Sequence, residues 1–176
     1  YNGDGEHLPS QIINNIHIVA DPVKPEKIYN PIKIQYQPNS YACGPTSLAM
    51  CSQILGKSTS ISSFSNACYT NGNGTSPANL ISGARKLGFK LTEIPRNING
   101  VKNAIDNGKP VIAHIMTGGV TCAGWKGNYG HYIVIYDYGT VYYYIADPTK
   151  GLCRCTHSMI DNAMRNYPGI KYYSVE

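Results

Sequence analysis

The chain has 176 residues, and its 15 Lys and Arg against 10 Asp and Glu give a net charge of +5, with only 14% of positions charged. That length supports one domain with its own core. The basic excess is scattered rather than gathered into a nucleic-acid patch, and no apolar stretch is long enough to span a bilayer.

Residues 1–31 read as a polar lead-in broken by proline, with a short apolar segment at 11–19 that Asp21-Pro22 and Lys24-Pro25 interrupt. Because the chain starts at Tyr1 without a visible signal peptide, it is expected to be a fragment of a longer protein. Residues 32–176 are expected to form the folded domain. Ile32–Tyr36 alternates apolar and polar residues, which predicts a short strand leading into a loop at Gln37. Cys43-Gly-Pro-Thr46 then opens an amphipathic helix that stops before Gly56, since proline suits a first helical turn and glycine the position past the end.

A second helix is predicted for Ser60–Cys68, with Ile61, Phe64 and Cys68 on one face. After a loop at Asn71–Thr75, Ser76-Pro77 supplies an N-cap and a first-turn proline for a helix through Leu87, stopped by Gly88. A strand at Phe89–Ile94, a helix at Asn99–Asn107 and a strand at Pro110–Met116 follow. Thr117–Gly130 is long, rich in glycine and holds the single tryptophan, Trp125; a loop of this length is expected to wall a substrate cleft.

His131–Tyr138 and Thr140–Asp147 flank Gly139 with the β-branched and aromatic content of a hairpin. A three-residue connection centred on Gly139 would oppose Ile135 to Tyr143, Ile133 to Ile145 and His131 to Asp147. Opposed residues share a face with Cβ atoms roughly 4.5–5.5 Å apart. A slip of one residue would send Asp147 to the other face. A helix at His157–Tyr167 and a strand at Lys171–Val175 complete the chain.

The six cysteines, Cys43, Cys51, Cys68, Cys122, Cys153 and Cys155, are irregularly spaced in a chain long enough to fold without staples, so mostly reduced thiols are expected. Cys153-Arg-Cys155-Thr-His157 lacks a fourth ligand for zinc and reads better as a strand with alternating buried cysteines. Asn2-Gly-Asp4-Gly-Glu6 has the start of a calcium loop without its later bidentate glutamate. The chemistry expected here needs no cofactor, and calcium is left open with no ligands assigned.

At a helix start, unpaired N–H groups and the dipole favour a thiolate, so Cys43 is the candidate nucleophile. His131 can act as base and then acid, and Asp147 can fix its ring. Gln37 can donate its side-chain amide to an oxyanion, with the Cys43 N–H as second donor. Asp137 is a weaker partner for His131, and Cys122, with no helix start behind it, is the rival nucleophile. His7, His114 and His157 are read as loose-end, core and helix-start residues. Taken singly, Cys43 could be a buried structural cysteine and the His–Asp pair a surface contact; their joint occurrence carries the reading.

Gln37…Ala42-Cys43-Gly-Pro-Thr-Ser-Leu-Ala, Gly130-His131-Tyr-Ile-Val-Ile and Ile145-Ala-Asp147-Pro resemble the C39-like branch of papain-fold cysteine peptidases. The resemblance spans roughly residues 32–150. It implies an α+β fold in which the cysteine helix packs on an antiparallel sheet carrying the histidine and aspartate, and it implies that Gln37 helps form the oxyanion hole.

Asn71-Gly-Asn-Gly-Thr-Ser-Pro77 and Leu80–Phe89 further resemble the pseudomurein endoisopeptidases of methanogen viruses and prophages. That implies a lytic enzyme acting at the cell wall, outside or from within a lysing archaeal host. It would cut an isopeptide bond between an alanine carboxyl and a lysine side chain. The expected partner is this wall polymer, with Trp125 touching it and the enzyme working as a monomer, without nucleic acid or membrane. The alternatives are a bacteriocin-leader or peptidoglycan peptidase of the same fold, or a non-catalytic wall-binding domain.

Overall fold

A computed structural model describes residues 32–163 and 169–176. Among them, five helices and six strands follow the predicted order: α1 (Cys43–Ile54), α2 (Ile61–Ala67), α3 (Pro77–Lys86), β1 (Leu91–Ile94), α4 (Ile98–Asp106), β2 (Val111–Met116), β3 (Gly130–Tyr138), β4 (Tyr142–Asp147), β5 (Gly151–Thr156), α5 (His157–Asp161) and β6 (Tyr172–Val175). The strands form one antiparallel sheet in the order β1-β6-β2-β3-β4-β5. This is the α+β architecture expected.

Helix starts are set locally. Ser60, Ser76, Asn97 and Thr156 each accept a first-turn backbone N–H through their side chains, the pattern that makes these residue types good N-caps. Each face of the sheet then buries its own apolar set. Tyr132, Val134 and Ala146 pack under α1, α2 and α3, while Ile133, Ile135 and Ile145 pack on the opposite face against α4 and α5. Alternation along β3 feeds both cores.

α1 is not amphipathic as its sequence suggested. Gly44 to Ser52 are all buried, because the helix lies between the sheet on one side and α2 and α3 on the other. Gly44 makes that closeness possible. A Cβ there would lie 3.1 Å from Leu80 Cδ1 and 3.3 Å from both Thr75 Cβ and Tyr132 Cδ2. Ser47 Oγ, one turn on, donates to the Tyr132 carbonyl at 3.2 Å and fastens the helix to β3.

Three predicted elements differ. Residues 32–36 form no strand; Ile32 and Ile34 serve instead as side chains packed on the first core, and the segment meets the turn after β4 through Gln37 N–H donating to Pro148 O (2.9 Å). The helix from His157 ends at Asp161 rather than Tyr167; residues 164–168 lie outside those described, as do the lead-in, its Asn2–Glu6 stretch and His7.

The third difference is the hairpin register. Ile135 faces Ile145, not Tyr143, so the pairing is displaced by two residues. Near the turn Tyr138 faces Tyr143 and Asp137 faces Tyr144, and a bulge at Tyr136 separates that register from the inner one. Gly139 N–H donates to Tyr142 O (2.8 Å), closing a turn whose residues 139–141 connect β3 to β4. The two-residue displacement keeps the parity that places His131 and Asp147 on one face. Without the bulge the outer register would continue inward and put Asp147 on the wrong side.

Candidate active site

α1 begins at Cys43, and Ala42 before it offers no capping side chain, so the helix presents its first turn of N–H groups uncapped by any side chain. The start of β3 lies beside it. Cys43, His131 and Gln37 line one cleft of about 470 Å³, whose far wall is the Gly72-Asn73-Gly74 turn.

His131 is 2% exposed and Asp147 is fully buried. His131 Nε2 lies 2.8 Å from Asp147 Oδ2. The other carboxylate oxygen, Oδ1, accepts from Thr149 N (2.6 Å), Thr149 Oγ1 (2.6 Å) and Lys150 N (2.7 Å). The tight turn at Asp147–Lys150 thus holds the carboxylate so that one oxygen remains for the imidazole.

Burial works against charge on His131, but its hydrogen bonds to Asp147 and Cys43 outweigh it and raise the imidazole to about 9. Burial likewise opposes charge on Asp147, while His131 and Thr149 pull its carboxyl below the usual value. With Nε2 committed to Asp147, Nδ1 is the ring nitrogen left to meet the Cys43 thiol. Gln37 Nε2 donates one hydrogen to Asn39 O at 2.6 Å, which leaves its second N–H free, while its Oε1 is buried without a partner.

A thiol, an imidazole bonded to a buried carboxylate and uncapped helix N–H groups in one cleft are the parts of acyl transfer through sulfur. Residues 31–167 match the sequence profile of the Peptidase C39 family. The chain belongs to the peptidase C39 family.

The C39 domain also shares its fold with solved structures. The peptidase domain of Streptococcus ComA, a bi-functional ABC transporter involved in quorum sensing, aligns at 24% identity and a TM-score of 0.62, over 81% of this chain and 97% of that one. A C39-like peptidase from Bacillus anthracis aligns at 18% identity and a TM-score of 0.63, over 83% and 94%. A double glycine motif protease from an AMS/PCAT transporter, solved with its leader peptide, aligns at 21% and 0.58, over 81% and 90%. No curated protein sequence matches the chain.

The remaining expected site residues fall elsewhere in the C39 domain. Trp125 is 8% exposed and does not line the cleft; it belongs to the second core, with its ring edge-on to His131 at 5.7 Å. The 117–130 loop reaches the cleft through Tyr129 and Gly130 instead. Trp125 sinks inward because the loop folds back on itself: Thr117 Oγ1 donates to Gly127 O (3.0 Å) and accepts from Tyr129 N (3.1 Å).

The rival nucleophile Cys122 is joined to Cys155 in a disulfide with Cα atoms 5.5 Å apart. The expectation of mostly reduced thiols therefore holds for Cys43, Cys51, Cys68 and Cys153 but not for this pair. The pair escapes sequence reading because spacing along the chain carries no information on which loop lies over β5. The bond removes Cys155 as a zinc ligand, and among the described residues no cluster of three or more His, Cys, Asp or Glu side chains is placed to hold a metal. No described helix is long and apolar enough to cross a membrane. His114 is half-buried rather than part of either core, stacked on Tyr132 at 4.4 Å with Nδ1 3.3 Å from Gly169 O.

Tyr129 and the Gly72-Asn73-Gly74 turn border the cleft. Tyr129 carries no signal of its own within the 117–130 loop, and the turn is marked in the sequence only by its loop composition and the narrower family resemblance, because a loop's side of the molecule is set by what it packs on.

Proposed function

We propose that this C39 domain is a cysteine peptidase with Cys43 as nucleophile, His131 as general base and acid, and Asp147 as the group that orients the imidazole. The reading rests above all on His131, bonded to buried Asp147 and sharing a cleft with Cys43. His131 accepts the thiol proton, and the sulfur attacks the scissile carbonyl carbon. Negative charge gathers on the carbonyl oxygen, where the Cys43 N–H and the free N–H of Gln37 stabilise it. The tetrahedral species collapses to a thioester as His131 protonates the departing amine. Water, deprotonated by His131, then attacks the thioester, and collapse releases the acid and restores the thiol.

The substrate we propose is pseudomurein, cut at the isopeptide bond between an alanine carboxyl and a lysine side-chain amine by a monomeric enzyme acting at the cell wall. Its support is the resemblance of the 71–89 stretch to pseudomurein endoisopeptidases, together with the position of Gly72, Asn73 and Gly74 on the cleft wall. A second reading, cleavage of a leader peptide, draws on the double glycine motif protease among the structural neighbours.

Mass spectrometry of fragments released from pseudomurein, from peptidoglycan and from a double-glycine leader peptide separates these readings. New lysine ε-amines from pseudomurein alone are expected, with none after Cys43→Ala. Lysis by Cys43→Ala overturns the mechanism; cleavage confined to either of the other two substrates overturns the wall assignment.

A further inference from the structure

Two aromatic rings stand edge-on to the imidazole of His131: Trp125 at 5.7 Å and 69°, and Tyr129 at 6.1 Å and 77°. Both come from the 117–130 loop. Hydrogen bonds between its two limbs, Thr117 with Gly127 and Tyr129 and Gly118 with Asn128, shape its base. Its far end contains Gly119 and Gly124, both with positive φ, and glycine holds no strong preference between that conformation and the ordinary negative-φ ones. What fastens that end to the body is burial of Val120 and Trp125 and the covalent bond from Cys122 to Cys155 on β5.

We propose that the Cys122–Cys155 disulfide is a clamp that seats Trp125 against His131, making Trp125 a positioning residue that keeps water from the His131–Asp147 hydrogen bond. The inference rests on the catalytic reading of His131 given above. A buried imidazole–carboxylate bond retains its geometry only where water cannot compete for either partner. Both rings of the loop lie against the imidazole of that pair, while the turn at Asp147–Lys150 occupies the other oxygen of the carboxylate.

The clamp is compatible with a free Cys43. Cys122 is exposed and Cys155 is 1% exposed among the second-core residues. A monothiol reductant must therefore bond to the Cys122 sulfur and expel Cys155 as a thiolate into apolar surroundings, which makes it a poor leaving group. A mild monothiol can keep Cys43 reduced while the disulfide persists.

The test compares the parent protein with Cys122→Ser/Cys155→Ala at 10 °C, with circular dichroism checking the fold. Trp125 is the single tryptophan, so its emission reports the seating of the loop alone. Proton NMR follows exchange of the downfield His131 Nε2–H with water, and iodoacetamide, quantified by mass spectrometry, reads the alkylation rate of Cys43. We expect red-shifted emission, N–H exchange at least about tenfold faster and altered Cys43 alkylation in the double variant. An N–H exchange rate equal to that of the parent, with the fold intact, overturns the clamp whether or not the emission moves.

If the double variant does not fold, Trp125→Phe with the disulfide intact takes its place, with faster N–H exchange expected and an unchanged rate overturning the proposal. Wall lysis by Cys43→Ala sinks the catalytic reading. Loss of lysis in Cys43→Ala with unchanged exchange in the double variant sinks only the clamp.

Discussion

His131 Nε2 lies 2.8 Å from Asp147 Oδ2, yet the two residues are not partners in the sheet ladder: His131 pairs with Ile115 on β2, and Asp147 with Gly151 on β5. Their meeting is a diagonal one across β3 and β4, within reach of long side chains on a common face. It depends on the bulge at Tyr136, which changes the register between turn and strand by one residue.

Asp147→Asn is expected to weaken the activity more than the fold, and Asp147→Ala to do both. The alanine leaves Thr149 N–H, Lys150 N–H and the imidazole without their acceptor, a loss of about 3 kcal/mol for a buried charged hub. Chemical denaturation of both variants checks the ranking; equal stability of Asp147→Ala and the parent would contradict it.

The pH dependence of stability has two limbs. The imidazole of His131 rises from 6.5 to about 9 on folding, so its contribution is complete below pH 6.5 and is lost as pH climbs through about 9. The Asp147 carboxyl falls below 3.8, so its contribution is present above that value and lost as pH drops through the lowered one. Tm measured from pH 2 to 10 is expected to plateau between these limbs. Asp147→Asn is expected to flatten both, and a Tm that keeps rising from pH 7 to 9 in the parent would exclude this assignment.

Selective alkylation of Cys43 is expected at pH 7.5. Burial pushes the thiol of Cys51 far up, and burial raises Cys68 and Cys153 to about 11. At that pH both of the latter are held overwhelmingly as thiols, which do not alkylate. Intact-mass analysis after limited iodoacetamide treatment should show a single adduct, mapped to Cys43 and absent from Cys43→Ala. Label spread evenly over the four free cysteines would count against a special environment at Cys43.

Gly83→Ala is expected to cost about 1–3 kcal/mol through overpacking between α2 and α3. Its Cβ would stand 2.7 Å from the backbone Cα of Cys68, where no rotamer change relieves the clash. Because Leu80 on the same helix packs on Gly44, the displacement should also lower Cys43 alkylation. Thermal melts and the alkylation assay read the two effects separately.

Removing the disulfide, which closes a segment of sequence separation 33, is expected to cost about 3–4 kcal/mol if chain entropy governs it. Equilibrium unfolding of Cys122→Ser/Cys155→Ala measures this directly.

Local physics wrote much of the molecule into the sequence. The Ser76 N-cap, glycines past helix ends and strands of alternating or continuously apolar residues made the order of elements legible, because each signal acts within a few residues. Cys43 at a helix start and a histidine and an aspartate on the two arms of a hairpin were legible for the same reason. The hairpin's partner faces were anticipated with the right parity but the wrong pairs, since nothing near Gly139 marks a bulge at Tyr136.

Only the tertiary structure decided the rest. It turned Trp125 into the core, joined Cys122 to Cys155, left residues 32–36 out of the sheet and brought the Gly72–Gly74 turn to the cleft. These are outcomes of which surfaces pack together, and packing between residues far apart in the chain is fixed by the fit of the whole core, not by any pattern within one segment.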